Sequence, residues 1–118
     1  MEKVFIDDMQ QSLLSLKENI IQTLASENKD FKEIIGDLDP KDLADIAADD
    51  IDRKTLETLS SNDVRRLRQI DSALSRIDND RYGVCIRCGK KIAKERLQAI
   101  PYALMCINCK TSDERKNR

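Results

Sequence analysis

Apolar residues recur in the N-terminal part of the chain at the spacing of one face of an α-helix. Successive members are 3, 4, 3, 4 and 4 residues apart, the pattern of an amphipathic helix. They are Ile6, Met9, Leu13, Leu16, Ile20 and Leu24. Phe31, Ile34, Ile35 and Leu38 extend this stripe toward Gly36 after a shift of register near residue 27. The pattern predicts a long first helix.

A second apolar stripe follows, with polar residues between its members. It consists of Leu56, Leu59, Val64, Leu67, Ile70, Leu74 and Ile77. Two amphipathic helices with otherwise charged surfaces can bury their stripes against each other, and Gly36 and Pro40 mark a turn between them. We therefore predict an antiparallel coiled-coil hairpin over residues 1–80. The alternative, two helices of a larger bundle, needs a third long apolar helix that the sequence does not offer.

Helix-start signals occur at two places within this hairpin. Asp39 suits an N-cap with Pro40 in the first helical position, and Ser60 with Asp63 resembles a capping box. The second signal predicts a kink or a frayed turn near residue 60, and the sequence leaves the continuity of the second helix open. Helices of some 28 residues would make an arm about 40 Å long, with residues 37–52 at its tip.

Composition narrows the possible functions. The chain has 118 residues, of which 36% are charged and 3% aromatic, and it contains no histidine. The missing histidine removes the commonest acid–base catalyst and every imidazole metal ligand, so we do not expect an enzyme. The net charge of −1 conceals an uneven distribution, because residues 37–52 carry net −6 and residues 81–118 carry net +7. The tip is therefore predicted to be acidic and the C-terminal region basic.

The cysteines form two C-x-x-C pairs separated by 17 residues. They are Cys85, Cys88, Cys106 and Cys109. This spacing is typical of a tetrahedral zinc site with four thiolate ligands, and four protein ligands make such a site structural rather than catalytic. The alternatives are two redox dithiols or two disulfides. We predict a small zinc finger over residues 81–118, with short helices at residues 94–97 and 107–116.

Targeting signals are not evident in the sequence. Charged residues interrupt the N-terminus, and the longest stretch without charge, Leu97 to Cys109, is too short to span a bilayer. We therefore expect a cytoplasmic protein without a membrane partner. Because disulfides are rare in that compartment, this favours the metal site over the disulfides.

Four segments together resemble the DksA/TraR family of C4-type zinc-finger proteins. They are the runs DRYGVCIRCG at Asp80–Gly89, RLQAIP at Arg96–Pro101 and CINCK at Cys106–Lys110, and the tip sequence DLADIA at Asp42–Ala47. The number of residues between Asp45 and Cys85 is also similar to the corresponding number in well-known members. The resemblance covers residues 37–112 by motif and the whole chain by architecture.

The resemblance implies a bacterial transcription regulator that binds RNA polymerase directly and does not bind specific DNA sequences. Members insert the coiled coil into the secondary channel of the polymerase and change the lifetime of open complexes, often with guanosine tetraphosphate in the stringent response. By this analogy Asp42, Asp45 and Ala47 act at the tip of a monomer, and the cysteines hold one zinc ion. Lys110 and Arg66 are candidates for contacts with the alarmone or the polymerase.

Two positions depart from the family pattern. Ile100 stands where larger members have an arginine before the proline, and Gln69 stands where they have a lysine on the second helix. Both positions are associated with the alarmone in the family. The resemblance therefore leaves open whether this chain responds to guanosine tetraphosphate.

A different class of protein would also fit the basic C-terminal region. Ten basic side chains in residues 81–118 could neutralise phosphates, as in a zinc-ribbon-like module that binds nucleic acid. Only Tyr82 and Tyr102 could stack on bases there, and the acidic tip would repel a nucleic-acid backbone. We therefore rank this alternative below polymerase binding.

Overall fold

The computed structural model describes residues 2–46 and 50–116. In these ranges the chain is mainly helical, and the only β-structure is an isolated antiparallel bridge between Val84 and Lys91. The helices are α1 (Lys3–Glu27), α2 (Lys29–Ile35), α3 (Pro40–Ala44), α4 (Arg53–Glu57), α5 (Ser61–Asp78), α6 (Lys94–Ala99) and α7 (Ile107–Lys116). None of the helices in the described part is long and apolar enough to cross a membrane.

Helices α1 and α5 pack against each other and form the hairpin that the apolar stripes predict. Both helices are amphipathic, with the charged face toward water and the apolar face toward the core. The apolar faces contribute large aliphatic side chains that are almost completely buried. Those side chains are Leu13, Ile20 and Ile21 of α1 and Leu67 and Ile70 of α5. The mainly helical fold and the paired long helices are therefore confirmed.

Both helices of the hairpin are interrupted at the same level. Asn28 adopts an extended conformation (φ −111°, ψ 105°) between α1 and α2, where the apolar stripe changes register. On the other side, Ser60 caps α5 by accepting a hydrogen bond from the N–H of Asp63. The side chain of Asn28 donates to the carbonyl oxygen of Thr58 at 2.8 Å and so connects the two interruptions. The kink that the sequence predicts near residue 60 is a complete break.

The end of the hairpin is folded back, which differs from the expected straight arm of about 40 Å. Helix α3 lies against α1, with Leu43 and Ala44 buried. Lys17 in the middle of α1 donates to the carbonyl oxygen of Ile46 at 2.6 Å. The break at Asn28 lets the chain leave the axis of α1, and burial of apolar surface on α1 then stabilises the docked position.

The C-terminal region is attached to the base of the hairpin. Lys94, at the start of α6, lies 5.3 Å from the ring centroid of Phe5 near the start of α1, the geometry of a cation–π contact. Ile92 and Leu97 are buried and belong to the same core as the hairpin side chains. The short helices expected at residues 94–97 and 107–116 are both present.

Candidate metal centre and acidic segment

The first pair of cysteines lies in a tight turn between the two ends of the β-bridge. The N–H of Gly89 donates to the carbonyl oxygen of Cys85 at 3.0 Å, and the N–H of Cys85 donates to that of Lys90 at 2.8 Å. Gly89 has φ +75°, a left-handed conformation that costs little only for glycine. The sequence folds here into a turn that directs both thiols of the pair to one side.

The second pair is placed by the start of α7. Cys106 precedes this helix, and its carbonyl oxygen accepts from the N–H of Lys110 at 3.0 Å in the first turn. The two halves of the finger are joined by the N–H of Ile86, which donates to the carbonyl oxygen of Leu104 at 2.9 Å. This backbone connection brings the second pair of thiols opposite the first.

The four sulfur atoms lie within 4.8 Å of one another. The Sγ atoms of Cys88 and Cys106 are 3.8 Å apart, which is the edge of a tetrahedron with zinc–sulfur bonds of about 2.3 Å. Cys85 is buried, Cys106 and Cys109 are partly buried, and Cys88 is exposed. The arrangement fits a structural zinc ion with four thiolate ligands and no open position for a substrate.

The thiols influence one another's protonation. Burial raises the pKa of Cys85, but backbone N–H groups, including those of Cys88 and Cys106, outweigh it and bring the pKa to about 6. The backbone N–H of Cys109 lowers the pKa of Cys106, whereas the hydrogen bond to Cys106 raises the pKa of Cys109 to about 12. The backbone N–H groups around Cys85 and Cys106 therefore favour the thiolate form of both residues, which is the form that binds a divalent cation.

Side chains from the hairpin and from α6 hold the backbone around this cluster. Arg76 of α5 donates to the carbonyl oxygens of Arg81 and Val84, at 3.1 and 2.8 Å. Arg96 of α6 donates to the carbonyl oxygen of Met105 at 3.1 Å, directly before the second pair of cysteines. These contacts fix both cysteine pairs relative to the hairpin.

Tyr82 connects the first pair of cysteines to the segment after α6. Its side chain is buried, and its hydroxyl donates to the carbonyl oxygen of Pro101 at 2.8 Å. Burial raises the pKa of Tyr82 to about 12. The neutral phenol is therefore favoured in the folded protein.

Replacing Tyr82 with phenylalanine should lower the free energy of unfolding by about 1 kcal/mol near neutral pH, because the ring still packs while its hydrogen bond is lost. The contribution of the phenol is fully present below pH 10 and is lost as the pH rises toward 12, since folding raises the pKa from 10.0 to about 12. Urea unfolding of both zinc-loaded proteins at about pH 8 and about pH 11 should therefore show the gap between them narrowing at the higher pH. A gap that stays constant would contradict this assignment.

The acidic residues of the predicted tip lie around α3. Asp42 is in the first turn of α3, where its charge complements the helix dipole, and Asp45 ends that helix. Both side chains are exposed. Asp45 also lines a groove with Lys17 and Asp78. Ala47 lies outside the described residues.

The candidate alarmone contacts have separate surroundings. Arg66 lies on α5, 3.7 Å from Asp63, in a groove formed with α1. Lys110 is exposed in the first turn of α7, next to the cysteines. Ile100 is partly buried against the core, and Gln69 lines a groove on α5 with Arg65 and Arg68.

Lys17 was not identified from the sequence. Its side chain is 2% exposed and donates to the Oδ1 of Asp71 at 2.7 Å as well as to the carbonyl oxygen of Ile46. A signal existed, because position 17 lies four residues after Leu13 and three before Ile20, on the apolar face of α1. A charged residue at such a position has to find partners inside the protein.

Comparison with family models matches residues 80–115 to the prokaryotic dksA/traR C4-type zinc finger. This range contains both cysteine pairs. The motif on which the zinc finger was predicted is therefore the part of the chain that the family model describes.

Similar proteins extend the likeness to the rest of the chain. An RNA polymerase-binding transcription factor DksA from Caulobacter vibrioides is 32% identical over 99% of this chain and 84% of its own length. General stress protein 16O from Bacillus subtilis is 31% identical over 91% of this chain and 63% of its own length. The likeness thus includes the helices of the hairpin.

Solved structures show the same fold. Transcription factor DksA2 from Pseudomonas aeruginosa superposes with a TM-score of 0.69 at 26% identity, over 99% of this chain and 88% of that one. An RNA polymerase binding protein and transcriptional regulator from Chlamydia trachomatis gives a TM-score of 0.60 at 24% identity, over 98% and 94%.

Proposed function

Because this chain belongs to the DksA/TraR family, we propose that it is a bacterial transcription regulator that binds RNA polymerase directly. The observation that carries the proposal is the 32% identity to a polymerase-binding factor over 99% of this chain and 84% of the relative. Such coverage includes the hairpin as well as the zinc finger. The cytoplasm is the compartment in which this function would be performed.

The hairpin is the element that we expect to enter the polymerase. We propose that residues around α3 reach the catalytic centre through the secondary channel and alter the stability of open complexes. The exposed carboxylates of Asp42 and Asp45 support this role, since they can act electrostatically on basic groups and metal ions of the polymerase. Ala47 completes the proposed tip by its resemblance to the family motif.

The zinc finger has a structural part in this proposal. It supports the base of the hairpin through Phe5, Lys94 and Arg76, and its four cysteines leave no position on the metal for a substrate. We propose that the protein acts as a monomer without enzymatic activity. Guanosine tetraphosphate is a candidate co-regulator through Lys110 and Arg66, although Gln69 and Ile100 depart from the family pattern.

Transcription with purified polymerase tests this proposal. Adding the zinc-loaded protein to a ribosomal-RNA-type promoter should change the lifetime of the open complex, and guanosine tetraphosphate is then added in a second series. A mobility-shift experiment with promoter DNA, with and without polymerase, separates the two candidate functions. Tight binding to free DNA at physiological salt would favour the nucleic-acid module and contradict the polymerase proposal.

A further inference from the structure

The segment between the two helix breaks joins the hairpin through two crossings that lie side by side. We call residues 29–46 and 50–59 the arm. It leaves α1 at Asn28 and returns to α5 at Ser60, and the hydrogen bond from Asn28 to Thr58 lies between the two crossings. Helices α2 and α4 contact each other inside the arm. Two adjacent non-helical positions with a connected segment beyond them have the geometry of a hinge.

A buried ion pair ties the far end of the arm to the hairpin. The ammonium group of Lys17 contacts Ile46, 29 residues away in the chain, and Asp71, 54 residues away. Side-chain exposures of 2% for Lys17 and 17% for Asp71 place this ion pair largely out of water. The pair therefore joins α1, α5 and the end of α3 at one point.

The rest of the docked contact is the packing of α3 on α1. Among the α3 side chains that the structure describes, Leu43 and Ala44 are buried, and the helix has five residues, too few to be stable without tertiary contacts. Three large apolar side chains of the arm stay partly in water, with exposures of 38%, 51% and 38%. They are Ile34, Leu38 and Ile46. The docked position thus leaves apolar surface of the arm unsatisfied.

The same sequence is compatible with an undocked arrangement. The apolar stripe of α1 continues through Phe31 and Ile34, and that of α5 continues backward through Leu56 and Leu59. If the hinge opens, α2 and α4 can prolong the hairpin, and the acidic residues of α3 then lie at its end. The buried ion pair stabilises the docked arrangement, and burial of the half-exposed apolar residues would stabilise the undocked one. The arm therefore has two arrangements between which an equilibrium can be shifted.

We propose that Lys17 is a positioning residue that latches the arm onto the hairpin and keeps the acidic segment of Asp42 and Asp45 away from the hairpin's end. Opening of this hinge would then precede insertion of the segment into the polymerase, a step that rests on the proposed function. The latch itself is a property of the free protein and can be tested without polymerase.

Replacing Lys17 with methionine tests the latch, because methionine keeps an unbranched chain one atom shorter than that of lysine and removes both hydrogen bonds. Small-angle scattering of the zinc-loaded variant should show a radius of gyration at least about 2 Å larger than that of the wild type, whose Cα value is 15.4 Å, since α2 alone adds about 10 Å to the hairpin. Amide exchange in residues 41–46 should become at least about tenfold faster. Removing one partner of a buried ion pair destabilises the docked state by more free energy than a tenfold change in the equilibrium requires.

Lys32→Met is the matched control, since Lys32 is exposed on the arm and the substitution is the same. Asn28→Ala is a second route to the open state: it removes the bond to Thr58 and the cap on α2, and alanine favours continuation of α1. Unchanged scattering and exchange in both Lys17→Met and Asn28→Ala would overturn the latch. So would equal changes in Lys32→Met.

Polymerase binding then separates the two proposals. If the arm must open, Lys17→Met should bind polymerase more tightly than the wild type. The ratio of the two affinities should equal the ratio of the fractions of the two proteins that are open. An opened arm with unchanged affinity would overturn the role of the latch in insertion. Failure of the proposed function would look different, because neither wild type nor variant would bind polymerase while the scattering difference persisted.

Discussion

Replacing Cys85 with serine should abolish stoichiometric zinc binding and unfold residues 81–116 while the α1–α5 hairpin remains helical. The reason is the small core of this region, in which few buried residues other than Tyr82, Ile92 and Leu97 support the chain. Structural zinc sites of this kind contribute on the order of 10 kcal/mol at neutral pH, more than most small domains have in total. Metal removal by a chelator should have the same effect.

Metal analysis and far-UV circular dichroism measure this prediction. The wild type should contain one zinc per chain, and the variant should lose the helical signal of α6 and α7, which have six and ten residues. Ile86→Ser is the control, because Ile86 lies in the same turn with 55% exposure and does not ligate the metal. A metal-free protein with full helical content and protected amides in the finger would contradict the structural role of zinc.

Replacing Asp42 and Asp45 with asparagine should leave binding to polymerase largely intact and weaken the change in open-complex lifetime at least about fivefold, the lower range of typical coupling between sites. The substitutions keep the shape of the side chains and remove two exposed charges from the proposed tip. Asp42→Asn also removes a favourable charge from the first turn of α3, but at an exposed position this costs less than about 1 kcal/mol. The expected loss is therefore one of function.

The matched control carries the same substitution at Asp7 and Asp8, two exposed carboxylates near the other end of α1. It changes the net charge equally, so a general electrostatic effect on the polymerase would appear in both double variants. Open-complex lifetimes and polymerase affinity should be measured for both. Normal regulation by the Asp42/Asp45 variant would show that the acidic segment is not the active tip.

Local features of the fold were predictable because their causes lie within a few residues. Asp39 and Ser60 each supply a side-chain oxygen to the N–H groups of the helix that follows, so helix starts could be placed from the sequence. The cysteine spacing predicts a sulfur cluster whose geometry agrees with the structure, since each pair needs only a tight turn. The hairpin followed from apolar stripes long enough to determine which helices pack.

The folded-back arm was not predictable in the same way. Its direction depends on one extended residue, Asn28, and its docked position depends on Lys17, whose partners lie 29 and 54 residues away. From its polarity alone, a lysine is expected at the protein surface, although position 17 lies on the apolar face of α1. Charge patterning identified Asp42 and Asp45 as an acidic group but not their place on the side of the hairpin.

Competition for RNA polymerase shows whether this protein occupies the secondary channel. A fluorescently labelled factor known to occupy the secondary channel is bound to purified polymerase, and the unlabelled zinc-loaded protein is added in increasing amounts. The label should be displaced completely, and the midpoint should rise as the concentration of the labelled factor is raised. Simultaneous binding of both proteins, or no binding of this chain to polymerase, would contradict it.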